Sequence, residues 1–287
     1  MFFRTLPYPD IFTKNAHGYI LATYCEHYFF YHCSFVMTSS SQRSQIALVG
    51  YGSMGKELER LAGQYGCSVE AVFSSKRPLS RSTIEERSFD VAIDFSLPDA
   101  VLNNTKILAE QGKNIVLGTT GWMQHKSEIE NIVQQNNTAL IWGTNFSVGV
   151  QIFNRVARLA AELAARFDDY DLAIHELHHT RKRDSPSGTA LTLAEMVQEI
   201  LPRKTTFLTD ASQGRISPEA LHISSTRIGE VPGTHTLYLD ALPDTIEITH
   251  RARNRSGFAI GALRAARWIE GKQGMMEFSH VFEYLHE

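Results

Sequence analysis

The sequence has few of the residues that mark a disulfide-rich, metal-clustered or membrane-spanning protein. Only 3 of its 287 residues are cysteine, and Cys25, Cys33 and Cys67 lack the close spacing typical of zinc ligands. No apolar run approaches the roughly 20 residues that a bilayer-spanning helix needs. The formal net charge is only -3, so composition gives no reason to expect a nucleic acid or a membrane as partner. These absences favour a cytoplasmic protein in a reducing compartment.

The first 40 residues differ in character from the rest of the chain. They are rich in aromatic residues, lack a sustained hydrophobic period, and show neither a signal peptide nor a transit peptide. Met37, which is followed by Thr38 and three serines, is a more natural start. We therefore expect residues 1–40 to be a non-native or disordered extension, and residues 1–36 to lie outside the working protein.

Regular structure begins with an apolar strand, residues 45–50, that runs into a glycine-rich turn and then an amphipathic helix. Strand, Gly-x-Gly-x-x-Gly and helix together are the context of a dinucleotide-binding site. Gly50 would make the tight turn, Gly52 would let a pyrophosphate approach the backbone, and Gly55 would let the helix pack closely on the strand. The candidate cofactor-binding residues of this loop are Gly50, Tyr51, Gly52, Ser53, Met54 and Gly55.

A second strand ends at Ser74, Ser75, Lys76 and Arg77. An NAD-selective site usually places an acidic residue near this position to bind the ribose hydroxyls. Hydroxyls and two cations suit a 2′-phosphate better, although a solvated turn would carry the same residues. We expect NADPH to be favoured, with NADH still possible as a donor.

Further strands alternate with helices up to about residue 142, which predicts a doubly wound parallel sheet of the Rossmann type. Ligands of such sheets bind beyond the carboxyl ends of the strands. The loops at that edge supply the other candidate cofactor-binding residues, which are Phe95, Ser96, Gly118, Thr119, Thr120, Thr144, Asn145, Phe146 and Ser147.

The stretch from Glu176 to Ala190 carries the densest chemistry in the chain. His178, His179 and Lys182 precede a Pro-Ser-Gly-Thr turn that opens a helix. We expect Ser187 and Thr189 to cap that helix and Gly188 to let the backbone approach a ligand. A helix amino terminus suits a carboxylate or a phosphate. The structural alternative is an ordinary capped helix after a basic loop.

The run Glu-x-His-His-x-x-Lys-x-Asp-x-Pro-Ser-Gly-Thr-Ala resembles the signature of the dihydrodipicolinate reductase family of lysine and diaminopimelate synthesis. The loops beginning at Asp94, Gly118 and Asn145 resemble that family's cofactor-facing loops, although the family's glycine loop is more often one residue longer. The resemblance covers residues 45–287. It implies NAD(P)H-dependent reduction of 4-hydroxy-tetrahydrodipicolinate, a small cyclic dicarboxylate, to tetrahydrodipicolinate. The roles it implies are His178 and Lys182 in proton transfer, and substrate binding by His179, Ser187, Gly188, Thr189 and Arg255.

The second half of the chain predicts a mixed α+β domain. A long amphipathic helix starts at Val148 and carries Ile152, Val156, Leu159 and Leu163 among its apolar residues. Three strand candidates follow, at residues 222–228, 234–239 and 245–250, with an open antiparallel face. We expect a dinucleotide-binding domain over residues 41–146 plus about 256–287, and a substrate-binding and oligomerisation domain over 147–255. The resemblance implies a homotetramer.

Three alternatives to this activity stay open from the sequence. His175-Glu176-Leu177-His178-His179 matches the zinc metalloprotease pattern His-Glu-x-x-His, which needs both outer histidines on one face of a helix. The β-leaning residues before it argue against a helix, so we expect no metal. The others are a different nicotinamide-dependent reductase of the same architecture and a non-catalytic nucleotide-sensing module.

Overall fold

The computed structural model of the chain describes residues 12–14, 20–22, 43–212 and 214–285. Contacts divide the chain into one unit over Met1–Ser40 and another over Ser41–Glu287. In the first unit, strands β1 (Phe12–Lys14) and β2 (Ile20–Ala22) pair antiparallel. The rest of the predicted extension lies outside the described residues. None of the described helices is long and apolar enough to cross a membrane.

The second unit contains a six-stranded parallel sheet, as the alternation of strands and helices predicts. Its strand order is β13-β7-β6-β5-β3-β4. Alternate residues of a strand face opposite sides, so each strand contributes to both faces of the sheet. The strands are β3 (Ser44–Val49), β4 (Cys67–Phe73), β5 (Val91–Asp94), β6 (Asn114–Leu117), β7 (Ala139–Trp142) and β13 (Gly274–Glu277).

Helices cover both faces of this sheet, which confirms the doubly wound architecture. Ile46 and Leu48 of β3 lie in one hydrophobic cluster with α1 and α7, whereas Ala47 and Val49 lie in another with α3 and α4. The last strand, β13, joins the sheet from the far end of the chain. The helices are α1 (Ser53–Ala62), α2 (Arg81–Glu85), α3 (Val101–Glu110), α4 (Lys126–Gln135), α7 (Ser256–Trp268) and α8 (Phe278–Val281).

The intervening residues form a five-stranded sheet of order β12-β11-β8-β10-β9. The central strand β8 is parallel to β10 and antiparallel to β11, so this sheet is mixed rather than purely antiparallel. The predicted hairpin is present as β11 and β12. The strands are β8 (Asp171–His178), β9 (Thr206–Leu208), β10 (Ala220–Arg227), β11 (Thr234–Asp240) and β12 (Thr245–Arg251).

Helices α5 (Val148–Ala164) and α6 (Gly188–Ile200) pack on this second sheet around a shared apolar core. Most of the large apolar residues predicted for α5 do not lie on its buried face. Its buried face is made by Phe153 and by small residues such as Ala157 and Ala161, because a small side chain allows the helix to approach its neighbours closely. Four large side chains are about half exposed instead, and these are Ile152, Val156, Leu159 and Leu163.

Several elements escape prediction from the sequence. Strands β9 and β13 and helices α2 and α8 are only three to five residues long, too short to show a clear hydrophobic period. The expected double cap of α6 is also wrong. Ser187 alone caps this helix, since its Oγ accepts from the Ala190 N–H, whereas Thr189 lies within the first turn.

Candidate active site

The glycine loop between β3 and α1 has the geometry that a dinucleotide needs. Gly50 has φ +89°, and a side chain there would strike the carbonyl of Phe95. At Gly55 a Cβ would lie 2.4 Å from the Gly50 oxygen, so the helix rests directly on the turn. Gly52, by contrast, has open space around it at the start of α1. The helix amino terminus and an unobstructed backbone fit a bound pyrophosphate.

Two cavities lie at the carboxyl edge of the six-stranded sheet. The larger, of about 610 Å³, is lined in part by Gly50, Tyr51, Ser74, Ser75 and Phe95. Lys76 and Arg77 are exposed and lie outside its lining, although Ser74 and Arg77 form a tight backbone bridge beside it. The predicted cations are therefore at the rim of this cavity.

The second cavity at this edge is smaller, at about 340 Å³, and it includes Arg255. Arg255 is thus beside the predicted cofactor loops. It does not line the third cavity, described below, which contains His178 and His179. The other predicted residues that line the smaller cavity are Gly52, Ser53, Met54, Phe95, Ser96, Gly118, Thr119 and Thr120.

Two predicted cofactor-binding residues are structural in their contacts. Phe146 is 2% exposed and stacks on Phe278 at a ring-centroid distance of 4.5 Å. Ser147 is buried and caps α5 by accepting from the Val150 N–H. Neither residue lines any of the cavities described here.

Asp94, a buried residue at the end of β5, holds two loops together. The sequence did not indicate this role. Its carboxylate accepts from the Ser96 N–H at 2.8 Å, from Asn104 at 2.9 Å and from the Thr119 hydroxyl at 3.0 Å. It therefore ties two of the predicted cofactor loops together. Burial raises the pKa of this carboxyl, and the hydrogen bonds from Ser96, Asn104 and Thr119 act in the opposite direction.

The largest cavity, of about 740 Å³, brings residues from both sheets together. Thr120, Thr144 and Asn145 reach it from the loops of the six-stranded sheet. The Asn145 amide donates to the Thr189 hydroxyl at 3.3 Å, so the loop and the start of α6 are in contact. The predicted catalytic and substrate-binding residues in the lining are His178, His179, Lys182, Ser187, Gly188 and Thr189.

His178 ends β8 and points into this cavity with little exposure. Its Nδ1 faces a carboxylate oxygen of Glu176, and the two side chains share a face of the strand because they are two residues apart. Its Nε2 lies beside Gly233, where a Cβ would stand only 3.0 Å away. Glycine at that position leaves Nε2 room to meet a ligand.

Lys182 follows in the loop after β8. The basic residues near it in sequence suggest a purely cationic cluster, yet its Nζ lies 2.9 Å from Asp184 and Arg181 is paired with Glu230. Burial opposes ionisation of Asp184, but the hydrogen bond and charge of Lys182, together with hydrogen bonds from the backbone of Asp184 and Gly188, outweigh burial and lower the pKa of this carboxyl. Lys182 and Asp184 therefore form an ion pair at the cavity wall.

Two further histidines line the cavity and were not predicted. His235 of β11 is 5% exposed, its Nε2 is 3.0 Å from the Ser187 hydroxyl, and its ring centroid is 5.1 Å from that of His178. His250 of β12 is its register partner. Burial first, and then the nearby His178, lower the pKa of His235 to about 4. Burial also lowers the pKa of His250.

Two protein-family models match the chain. The model described as "Dihydrodipicolinate reductase, N-terminus" matches residues 44–146, and the one described as "Dihydrodipicolinate reductase, C-terminus" matches residues 149–282. The chain belongs to the dihydrodipicolinate reductase family. The class of activity expected from the sequence, a nicotinamide-dependent oxidoreductase of lysine and diaminopimelate biosynthesis, is confirmed by this membership.

Individual relatives support the same family membership. The chain is 35% identical to a 4-hydroxy-tetrahydrodipicolinate reductase of Christiangramia forsetii over 240 residues, which is 84% of this chain and 98% of the relative. It is 37% identical to the Methanocaldococcus jannaschii protein of the same name, covering 66% of this chain and 69% of the relative. The dipicolinate-bound dihydrodipicolinate reductase from Paenisporosarcina sp. TG-14 has the same fold, with TM-score 0.69, 22% identity, and coverage of 83% of this chain and 99% of that one.

Proposed function

We propose that the chain reduces 4-hydroxy-tetrahydrodipicolinate to tetrahydrodipicolinate in the largest cavity, with His178 and Lys182 exchanging protons. One observation carries this assignment. The same cavity is lined by these two side chains, by the amino terminus of α6 and by loops that follow strands of the six-stranded sheet. A substrate there can meet proton donors and a nicotinamide at once. The cofactor, when bound, supplies the hydride.

The wall of this cavity suits a dicarboxylate. Lys182 and Arg183 are basic residues of the lining, and the first turn of α6 presents Gly188 and Thr189 at a helix amino terminus. Asp184 is the one carboxylate in the lining, and Lys182 already pairs with it. We assign substrate carboxylate binding to His179, Gly188 and Thr189. Ser187 acts through its cap, and Arg255 approaches from the cofactor side.

The residues present also fit the cofactor. We assign the pyrophosphate to the turn around Gly52, because its backbone is open and α1 begins there. Ser74 and Ser75 line the adjoining cavity and suit the ribose, with Lys76 and Arg77 at the rim for a 2′-phosphate. We therefore propose that NADPH is preferred to NADH.

Self-association and location are also proposals. Four large apolar side chains of α5 are about half exposed, and a contiguous exposed apolar patch is typical of an interaction surface. This supports assembly into a homotetramer, which analytical ultracentrifugation would measure. The buried free thiol of Cys67 fits a reducing compartment such as the cytoplasm.

The deciding experiment is a turnover assay of the purified chain with dihydrodipicolinate and each nicotinamide, followed at the absorbance of the reduced cofactor. Lys182→Ala and His178→Ala should each lower kcat by roughly 10²–10⁴ with nearly unchanged cofactor binding. The double variant should fall well short of the product of the two losses, because groups that act as one unit are not additive. Lys106→Ala, on the exposed side of α3, is the matched control.

Two outcomes would contradict the proposal. Wild-type protein without turnover on this substrate would refute the activity. A Lys182→Ala variant within a few-fold of wild type, together with loss of activity on adding a chelator, would favour zinc chemistry instead. The structure already gives the zinc pattern an unfavourable backbone, since residues 175–178 lie in strand β8 rather than in a helix.

A further inference from the structure

Glu176 is a fully buried side chain that contacts His178, a residue of the cavity wall. It lies on β8 with 0% exposure. One oxygen, Oε1, accepts from Arg227 at 2.9 Å and from the Ser187 N–H at 3.3 Å. The other, Oε2, faces Nδ1 of His178. Both oxygens of this buried side chain thus have polar partners, so the group is part of a built network rather than a chance contact.

The network fixes which nitrogen of His178 carries a hydrogen. Arg227 and a backbone N–H can only donate, so Oε1 must accept, and an ionised Glu176 has no hydrogen to give. Burial opposes ionisation of Glu176, but the Arg227 guanidinium at 2.9 Å and the Ser187 N–H at 3.3 Å favour the carboxylate form. His178 Nδ1 must therefore donate to Oε2. In the neutral imidazole the lone pair is then on Nε2, the atom beside Gly233.

Arg227 extends the same network to the other proposed proton-exchanging group. Its Nη2 also donates to the backbone carbonyl of Asp184 at 2.6 Å. Asp184 pairs with Lys182, so one guanidinium braces both Glu176 and the loop that carries Lys182. Arg227 comes from β10, about 50 residues further along the chain.

We propose that Glu176 is a positioning residue that holds His178 in the tautomer whose Nε2 exchanges the proton with the substrate, with Arg227 bracing it. This inference rests on the proposed function of His178. In the His-Glu-x-x-His pattern the glutamate would be a general base that acts on water. Here Glu176 instead orients a histidine on the same face of its strand.

The charged and titratable groups around His178 come from every neighbouring element. Helix α6 adds the Ser187 hydroxyl and N–H. Glu176, His178 and His235 each offer a ligand-type atom within 4.8 Å of the others, but both oxygens of Glu176 already accept from protein donors. The remaining groups are His235 on β11, Arg227 on β10, His250 on β12, and His179, Lys182, Arg183 and Asp184 in the loop.

The test replaces Glu176 with glutamine. The amide oxygen must take the Oε1 position, where two donors converge, so the NH₂ group faces Nδ1 of His178. Nδ1 must then accept, and the neutral ring carries its hydrogen on Nε2. Freezing a catalytic imidazole in the wrong tautomer lowers kcat by up to about 10⁴, so we expect Glu176→Gln to lose roughly 10²–10⁴ in kcat. The limb of the pH profile that reports His178 should move to lower pH. Cofactor affinity should stay within a few-fold.

Glu176→Asp keeps an ionised acceptor and should recover part of kcat with the wild-type pH limb. Glu195→Gln, on the exposed side of α6, is the matched control for losing one carboxylate. A Glu176→Gln variant with wild-type kcat and pH profile would overturn the inference, as would an Asp variant whose pH limb moves like that of the Gln variant.

A direct readout does not depend on turnover or on the Glu176 variants. Side-chain nitrogen NMR of the histidine-labelled wild-type protein, assigned by comparison with His178→Ala, should show the neutral His178 protonated on Nδ1. Protonation on Nε2 would refute the positioning role even if the reductase activity is confirmed. If turnover is absent but Nδ1 carries the hydrogen, the proposed function fails and the network stands.

Discussion

The buried His235 should make the stability of the fold depend on pH in a predictable direction. This imidazole is 5% exposed, next to His178, and its Nδ1 has no hydrogen-bond partner among the described residues. Burial and the nearby His178 lower its pKa to about 4, whereas the value for the group in water is 6.5. The native state thus keeps this side chain neutral over a range in which the unfolded chain protonates it.

The sign follows from proton counting. Between pH 6.5 and 4 the unfolded state binds more protons at this position, so the free energy of unfolding falls as the pH falls. Each pKa unit corresponds to about 1.4 kcal/mol, so the loss should reach about 2 kcal/mol at pH 5 and roughly 3 kcal/mol at pH 4. That is a large share of the 5–15 kcal/mol by which domains are ordinarily stable.

The assay is urea unfolding at pH 7, 6 and 5 of wild type and His235→Gln. Glutamine can still hydrogen-bond Ser187 from about the Nε2 position but does not titrate. The variant should lose about 2 kcal/mol less than wild type between pH 7 and pH 5 at an unchanged denaturant slope. His280→Gln, an exposed histidine, should follow wild type. If His235→Gln has the same pH dependence as wild type, the imidazole is not held neutral by burial and the reasoning is wrong.

Two other predictions concern the nucleotide loop and the packing of α7. Replacing Lys76 and Arg77 with alanine should weaken NADPH by roughly 1–3 kcal/mol and NADH much less, measured by titration calorimetry; equal losses would mean that these cations do not read the 2′-phosphate. Gly261→Ala would place a Cβ 1.8 Å from the Phe146 carbonyl oxygen and should cost at least about 1–3 kcal/mol in chemical unfolding. Gly63→Ala has no atom within 4 Å and is its control; similar stability of the two variants would contradict the packing argument.

The nucleotide half was predictable because its signals are local. Strand β3 (Ser44–Val49) is apolar and the three glycines follow it at once, so the signals for strand, turn and helix lie within some twenty residues. Each glycine has the geometry its spacing indicates, from the positive φ of Gly50 to the open backbone of Gly52. The alternation of strands and helices that continues to residue 142 is likewise present, and buried residues of α3 and α4 pack on the sheet.

What the sequence could not reveal depends on contacts between distant residues. Arg181 pairs with Glu230, which is about 50 residues away, and this ion pair is visible only in three dimensions. Arg227 and His235 meet the His178 site from strands about 50 residues away, and nothing in their own neighbourhood marks them. Helix α5 misled for a different reason. Its largest apolar side chains are exposed, because close packing on the sheet selected small residues for the buried face.

The His-Glu-x-x-His pattern of residues 175–179 has two structural interpretations, and the sequence alone distinguishes them. On a helix, His175 and His179 would share a face and Glu176 would stand beside them, as zinc chemistry requires. On a strand, the period is two, and the pair that shares a face is Glu176 with His178. The β-leaning residues 170–174 already favour the strand, so the alternation rule alone predicts a buried carboxylate against the proposed proton-exchanging histidine. The backbone period of these five residues therefore favours the proposed tautomer-fixing pair over a metal site.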